Sequence, residues 1–403
     1  MSISKISNAE CCGCSLCASI CPVKCIEIRQ GKDGFSYPVI DKHKCVECGL
    51  CEKKCPLLAD FKKKIGSAYL GYCKTDSNRK HASSGGLFYL LAVKTLQQGG
   101  IVYGAAWDKD LSVRHRRITD ENEIGLLTTS KYLQSDMRWC YDSIEQDLND
   151  GINVLFSGTP CQVAAVYQKF KTHRLISNLL LIDIKCHGVP SPGVWKSYIR
   201  ILENRYQASV ISVNFRCKDK GWHNYSLKMQ FDNGGIYSCV HDLNPYMDTF
   251  LSDKNIRASC LHCKFRAEYS LADITLGDAW GCEKEKGNWS DDKGVSLIIT
   301  HTKKGQDAFA LCKNDTYYKE VKWNQWVGGS LSPATNVSLE YPARIEFFED
   351  YSCLSNKDFW EKYSKLSLKK RLVFLIKWLL RKLKVDCIVR KSKGLLSRIL
   401  VQV

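Results

Sequence analysis

Apolar positions along the chain recur with two periods, and the alternation between those periods predicts the elements. From Leu87 to Gln98 the apolar residues return at helical spacing and stop at Gly99-Gly100, which predicts a helix. Ile101–Trp107 and Val113–Ile118 read as strands, and Val154–Phe156 and Leu179–Ile184 are short apolar runs suited to buried strands. Arg138–Asn149 and Cys161–Phe170 return to the helical period. Strands that alternate with helices in this way predict an α/β or α+β sheet with helices packed on it. From about residue 208 the balance shifts to strands, at Val210–Phe215, Tyr225–Phe231, Ile236–Val240 and Val295–Thr300, before a helix at Lys303–Cys312. The polar, glycine-containing stretch Gly281–Lys293 reads as a loop.

Residues 1–62 follow neither period: they are dense in cysteine and end in the basic run Lys62-Lys63-Lys64. At 403 residues the chain exceeds what one hydrophobic core usually serves. The expected division is a cysteine module at 1–62, two parts of one larger body at 66–207 and 208–330, a connecting segment at 331–364, and a tail at 365–403.

Composition changes the picture in two ways. The chain has 22 cysteines, and the stretch Met1–Glu10 lacks the apolar core of a secretory signal, so a reducing, cytoplasmic setting is expected. There, clustered cysteines favour metal over cross-links. The net charge of +17 is unevenly spread: residues 365–403 hold 12 Lys or Arg against one acid, Asp386, so +11 of it belongs to the tail. No basic stripe interleaved with aromatics runs through the body, and no nucleic-acid partner is expected.

Two cysteine runs carry the strongest chemical signal. Cys11, Cys14, Cys17 and Cys21-Pro22 share the spacing C-x-x-C-x-x-C-x-x-x-C-P with Cys45, Cys48, Cys51 and Cys55-Pro56. This is the spacing of bacterial dicluster ferredoxins, in which the last cysteine of each run ligates the other cluster. Cys11, Cys14, Cys17 and Cys55 are therefore expected on one 4Fe-4S cluster, and Cys45, Cys48, Cys51 and Cys21 on a second. Zinc is the alternative, since C-x-x-C pairs also bind it. Gly13 and Gly49 let backbone amides approach the sulfides, while Cys12 and Cys25 fall outside the pattern as packing residues, with Cys12 a substitute for Cys11.

Beyond the cysteine module lie Ser83-Ser84-Gly85-Gly86, Val102-Tyr103-Gly104-Ala105, Ser130-Lys131-Tyr132, Phe156–Gln162 (FSGTPCQ), Cys186–Pro192 (CHGVPSP), Ser259–Cys263 (SCLHC) and Asp273–Gly281 (DITLGDAWG). In this order they resemble the beta-subunit family of coenzyme F420 hydrogenases and dehydrogenases. That family includes reductases of the deazaflavin coenzyme, 7-hydroxymethyl chlorophyll a reductase and homologues in bacterial surface-polysaccharide loci. The resemblance covers roughly residues 1–330 and is specific for family rather than substrate.

It implies a bacterial 2x(4Fe-4S) ferredoxin-like module followed by a mixed-sheet flavin-binding domain with flanking helices. The implied protein is an FAD-dependent iron-sulphur oxidoreductase, passing electrons between its clusters and a substrate against the flavin. A flavin converts between hydride and single electrons. The Ser83-Ser84-Gly85-Gly86 turn precedes a helix and would meet a phosphate at its N-terminus, although alone it reads as a plain helix cap. Ser130, Lys131 and Tyr132 join it as cofactor contacts, with Lys131 on a phosphate or a ring oxygen. Gly158, Thr159 and Pro160 follow a strand, where α/β proteins place ligands.

Lys131, His187 and Asp278 are the implied catalytic groups, each with a structural alternative. Cys161, Cys186, Cys260 and Cys263 would hold a third 4Fe-4S cluster; zinc on Cys260 and Cys263, or four buried thiols, are the alternatives. The expected partners are a redox donor or acceptor, protein or coenzyme, and a small-molecule substrate.

In the tail, residues 368–385 set Leu372, Ile376, Leu379, Leu380 and Leu383 on one helical side and Lys377, Arg381 and Lys384 on another. Such a helix suits a membrane interface, making the protein peripheral on the inner face, or equally docks on the protein's own body. It is too short to span a bilayer. An electron relay that keeps the fold without the chemistry is the competing functional class.

Overall fold

The computed structural model describes residues 3–60, 66–265, 269–285, 289, 291–322, 326 and 341–365, with 372, 375, 376 and 379 in the tail. The strands are β1 (Ile26–Gln30), β2 (Ser36–Ile40), β3 (Ser67–Cys73), β4 (Ile101–Trp107), β5 (Val113–Ile118), β6 (Val154–Gly158) and β7 (Leu179–Ile184), then β8 (Val210–Cys217), β9 (Ser226–Phe231), β10 (Ile236–Val240), β11 (Ile274–Asp278), β12 (Ser296–Thr300) and β13 (Thr316–Val321).

In the cysteine module β1 and β2 form an antiparallel hairpin beside two short helices, Leu16–Ser19 and Leu50–Lys53. The body is built on an eight-stranded sheet of order β13-β3-β12-β11-β7-β6-β4-β5. Its inner strands β4, β6, β7 and β11 run parallel, and antiparallel strands flank them. Alternation along the strands separates two cores, as a pleated sheet covered on both faces requires. Tyr103, Phe156 and Leu181 face Tyr141, Ile144, Val163 and Phe170, from the helices Cys140–Asn149 and Pro160–Phe170. Val102, Leu155 and Ile182 face Leu87, Leu91 and Phe309, from the helices Leu87–Gln97 and Lys303–Cys312.

Between β7 and β11 the chain leaves the sheet to form the helix Pro192–Tyr206 and an antiparallel meander, β10-β9-β8. The sheet thus takes strands from both sides of the division expected at 207/208. Trp195, Tyr198, Phe215 and Tyr246 fill the core between helix and meander. The segment 331–364, expected as a connection, contributes the helices Pro342–Cys353 and Asn356–Tyr363. Their Phe347, Phe348, Phe359 and Trp360 are buried in the same core, and Trp360 Nε1 donates to Ser197 Oγ at 2.8 Å. Most of the tail helix expected at 368–385 lies outside the described residues. Among those described, no helix is long and apolar enough to cross a membrane.

The module joins the body through the hairpin tip. Phe35 is fully buried in the aromatic core, Ser191 Oγ donates to Asp33 O at 2.7 Å, and Gly193 N donates to Gly34 O at 3.2 Å. A Cβ at Gly193 would lie 2.7 Å from Gly34 Cα and 2.6 Å from the Tyr351 hydroxyl. Alanine normally strengthens a helix relative to glycine, so the sign of a Gly193→Ala change tests this packing. We expect it to destabilise by about 1–3 kcal/mol through overpacking, read as a lower unfolding midpoint in anaerobic thermal denaturation. An unchanged or raised midpoint would mean that the module is not seated at this point.

Candidate functional site

The register of the sheet brings the motifs to one edge. Since β3, β7 and β11 run the same way, and β4 and β6 run with β7, their carboxyl ends open together. Ser83–Gly86 lies in the chain between β3 and the helix Leu87–Gln97, Thr159-Pro160 follows β6, Cys186-His187 follows β7, and Asp278 ends β11. This is the edge at which parallel sheets present ligand-binding turns.

Three cavities hold the cysteines. Cys11, Cys14, Cys17 and Cys55 line one, with Cys12 and the apolar Leu16, Ile28 and Leu57. Cys45, Cys48, Cys51 and Cys21 line a second, with Cys25, Val23, Val46 and Leu50. Cys161, Cys186, Cys260 and Cys263 line the third, about 270 Å³ in volume, and Cys12 stands in its wall as well. Each grouping in the module draws its fourth cysteine from the other run. Among the described residues no three His, Cys, Asp or Glu side chains converge as they would on one ion. Besides Cys12 and Cys25, four thiols ring each cavity, the number of ligands a cubane takes, so this donor set fits iron-sulphur cubanes.

Burial pushes the Cys17 and Cys260 thiols up to about 12 and lifts Cys186 well above the usual thiol range. Cys161 is raised first by its hydrogen bond with Cys12 and then by burial. Such thiols become thiolates only when a nearby cation compensates them, which is what bound iron supplies. Gly13 N donates to Cys11 Sγ and Cys25 N to Cys21 Sγ, each at 3.4 Å.

A second group of side chains lies along the same edge. Ser130 N donates to Ser83 Oγ at 2.7 Å, which ties the two serine motifs together. Gly86, with φ +89°, begins the helix Leu87–Gln97. Gly85 N, expected to meet a phosphate, donates to Ser296 Oγ at 2.9 Å, and Ser84 Oγ donates to Val295 O at 2.7 Å. Lys131 Nζ donates to Leu126 O at 2.9 Å and Thr128 O at 2.8 Å, and burial brings its ammonium down to about 7.

Two basic side chains here, Arg216 buried and Lys218 half-buried, were not anticipated from the sequence. Arg216 donates to Ser83 O at 2.8 Å, Asp278 Oδ1 at 3.1 Å and the Tyr132 hydroxyl at 3.3 Å, and stacks on Tyr225 with its guanidinium 4.0 Å from the ring centre. Lys218 Nζ donates to Arg79 O, Ser84 O and Lys293 O, and burial lowers it to about 7. No local motif marks either residue; Arg216 is the penultimate residue of β8 and Lys218 follows its last residue, Cys217. Asp278 also accepts from Trp222 Nε1 at 3.1 Å.

The remaining implied groups sit by the third cavity. Thr159 and Pro160 line it, Thr159 N donates to Gln162 Oε1 at 2.9 Å, and Gly158 ends the preceding strand. His187 lines it too, with Nε2 2.8 Å from Asp253 Oδ1 and its ring edge-on to Phe250, against which Tyr132 also packs. Asp278 is therefore in the Ser83–Arg216 group, Lys131 reaches it only through its neighbours Ser130 and Tyr132 while its own Nζ is held by the Leu126 and Thr128 carbonyls, and His187 is on the cavity wall.

Residues 152–325 match the family described as the carboxyl-terminal part of the coenzyme F420 hydrogenase/dehydrogenase beta subunit, and residues 10–59 match the 4Fe-4S dicluster domain. Among curated proteins none matches the chain. A solved structure similar to it is a chain of the xenon-derivatised F420-reducing [NiFe] hydrogenase complex from Methanosarcina barkeri, at 18% identity, with 75% of this chain and 93% of that chain covered and a TM-score of 0.46.

Asp183, on the wall of the third cavity, is 1% exposed and accepts from Ser270 Oγ at 2.6 Å and from Thr275 Oγ1. Burial raises its carboxyl to about 7. A carboxyl raised in the folded state holds its proton after the unfolded chain has lost it. Its contribution is thus full below the usual carboxylate range and is lost as pH rises towards 7. We expect the unfolding midpoint of the wild type to fall between about pH 5 and about pH 7.5, and Asp183→Asn to flatten that fall. Equal slopes in the two proteins would show that Asp183 does not titrate in this window.

Proposed function

Since residues 152–325 match the coenzyme F420 hydrogenase/dehydrogenase beta-subunit family and residues 10–59 match a 4Fe-4S dicluster domain, we propose that the chain is an iron-sulphur flavoprotein oxidoreductase. It moves electrons between its clusters and a substrate lying against FAD. The observation that carries this reading is the series of cysteine-lined cavities, in which Cys12 forms part of the wall of both the first and the third.

In this reading Cys45, Cys48, Cys51 and Cys21 hold the outer cluster, and Cys48 is exposed where an external one-electron partner would approach. Cys11, Cys14, Cys17 and Cys55 hold the inner one, and Cys161, Cys186, Cys260 and Cys263 hold a third. The clusters accept and release single electrons, and a bound flavin exchanges those for hydride. Apolar walls around the inner cysteines keep water away. His187, on the cavity wall, and Asp278, held by Arg216 and Trp222, are the proposed proton-handling groups.

The Arg216 guanidinium, hydrogen-bonded to the Ser83 carbonyl, and the Lys218 amine on the Ser84 carbonyl, which an adjacent anion would keep protonated, support an anionic cofactor beside that turn. Ser83, Ser84, Gly85, Gly86, Ser130, Lys131 and Tyr132 would border that cofactor, with Gly158, Thr159 and Pro160 on the side of the third cavity. The proposed setting is surface-polysaccharide assembly, with the basic tail at 368–385 on an anionic membrane face.

Anaerobic stoichiometry of iron, sulfide and flavin tests the reading. About twelve irons per chain are expected, at four per cubane, with one flavin. Cys260→Ser should lower the iron to about eight and leave the module's clusters in place. Fully metallated protein without flavin absorbance would instead make the chain an electron relay, and colourless protein containing zinc would remove the redox reading altogether.

A further inference from the structure

Arg257 is fully buried between the cysteine module and the body. It immediately precedes the helix Ala258–Leu261, which carries Cys260, and its backbone N–H donates to Val189 O at 3.0 Å. Its side chain turns to the module. Nε donates to Cys11 O at 2.6 Å, Nη2 to Ser36 O at 3.0 Å and Nη1 to Gln134 Oε1 at 2.8 Å, and Gln134 Nε2 in turn donates to Cys12 O at 2.9 Å. The guanidinium lies over the Tyr37 ring, 4.4 Å from its centre. A Cβ at Gly13 would fall 2.6 Å from Nη1, so this approach to the cysteine loop requires glycine.

All three of these acceptors are neutral. A full positive charge out of water normally needs a negative partner, because its desolvation costs several kcal/mol. Carbonyl oxygens and an aromatic face compensate part of that cost. Asp33 Oδ2 already accepts from the Tyr37 hydroxyl, so the counter-charge left at this place is thiolate: that of Cys11, Cys14, Cys17 and Cys55, whose loop Arg257 grips by the Cys11 carbonyl, and that of Cys161 and Cys260 on the third cavity, whose ionised forms Arg257 also favours. Four thiolates outweigh the charge of the iron-sulphide core, and reduction adds one more negative charge. Burial alone makes such a centre harder to reduce than the outer one, whose Cys48 reaches solvent.

We propose that Arg257 is the counter-ion of the inner cluster, a positioning residue that fixes the Cys11–Cys14 loop on the body and holds that cluster's reduction potential up against its burial. This rests on the cluster assignment made above. Reduction of the inner cluster takes up one electron, supplied in the test by dithionite, and needs no proton from Arg257.

The test is an anaerobic potentiometric titration of the full chain, followed by EPR, on Arg257→Met, Arg257→Lys and Gln134→Leu. The outer cluster's signal is assigned as the one altered in Cys48→Ser and the third's as the one lost in Cys260→Ser, which leaves the remaining signal to the inner cluster. Arg257→Met should make the inner cluster at least about tenfold harder to reduce, equal to about 59 mV for a one-electron couple, while the outer potential stays in place. Arg257→Lys keeps the charge, and Gln134→Leu keeps the guanidinium while removing the bond to Cys12 O; both should hold the inner potential within that tenfold.

An unchanged inner potential in Arg257→Met overturns the proposal. So does an equal fall in Arg257→Lys and Gln134→Leu, which would trace the effect to packing. Should Arg257→Met fail to retain the inner cluster, Arg257→Lys decides: a retained potential supports the counter-ion role and a fall rejects it. Wild-type chain without iron overturns both this and the cluster assignment. Iron content shows that before any titration, so the two failures are separable.

Discussion

A thiolate inside a protein must be compensated, and much of this molecule is arranged around that need. Half-buried thiols such as Cys17, Cys161, Cys186 and Cys260 resist ionisation, so the cavities they line favour positive charge. The backbone N–H groups of Gly13 and Cys25 aim at thiol sulfurs, and the Arg257 guanidinium holds the loop of the first cavity. The same logic recurs at the sheet edge, where Arg216 and Lys218 bind the carbonyls of the serine turn.

The sheet decides where these groups meet. Parallel strands point their carboxyl ends one way, so turns far apart in the chain become neighbours without any local signal that they should. The meander and its helix depart between β7 and β11, and this excursion returns Arg257, Cys260 and Cys263 to the wall that Cys161 and Cys186 share. A match spanning residues 152–325 covers both the departing and the returning chain.

Much of this was legible in the sequence where a pattern is local. Ile101–Trp107, Val113–Ile118, Leu179–Ile184, Ile236–Val240 and Lys303–Cys312 are elements with the bounds their apolar runs predict. The helix Pro192–Tyr206 was missed although Ser191, whose hydroxyl accepts from Val194 N, and Pro192 form a regular helix start. The polar residues Lys196, Arg200, Glu203 and Arg205 break the apolar run there, and their meaning appears only once the helix has a core to face. The helices in 342–363 were read as a connection because their apolar content is four buried aromatics rather than a stripe. Arg257 carries no signature at all, since an arginine is marked as buried only by its partners. Cys11 and Gln134, which accept from it, stand 246 and 123 positions away.

Electron transfer between buried centres needs them held at fixed separation, and the contacts between module and body meet that requirement through small residues. Gly34 and Gly193 touch backbone to backbone, and Gly13 admits the Arg257 side chain against the cysteine loop. At each place an added methyl would push the module outward. Phe35 and Tyr37 sink into the body's aromatic core beside these contacts, so parting the two would expose apolar surface as well as an unpaired arginine. A carrier that swings between partners needs the reverse: a polar interface and a charge that water can reach. The packing is that of a module fixed in place, with Cys12 between the first and third cavities.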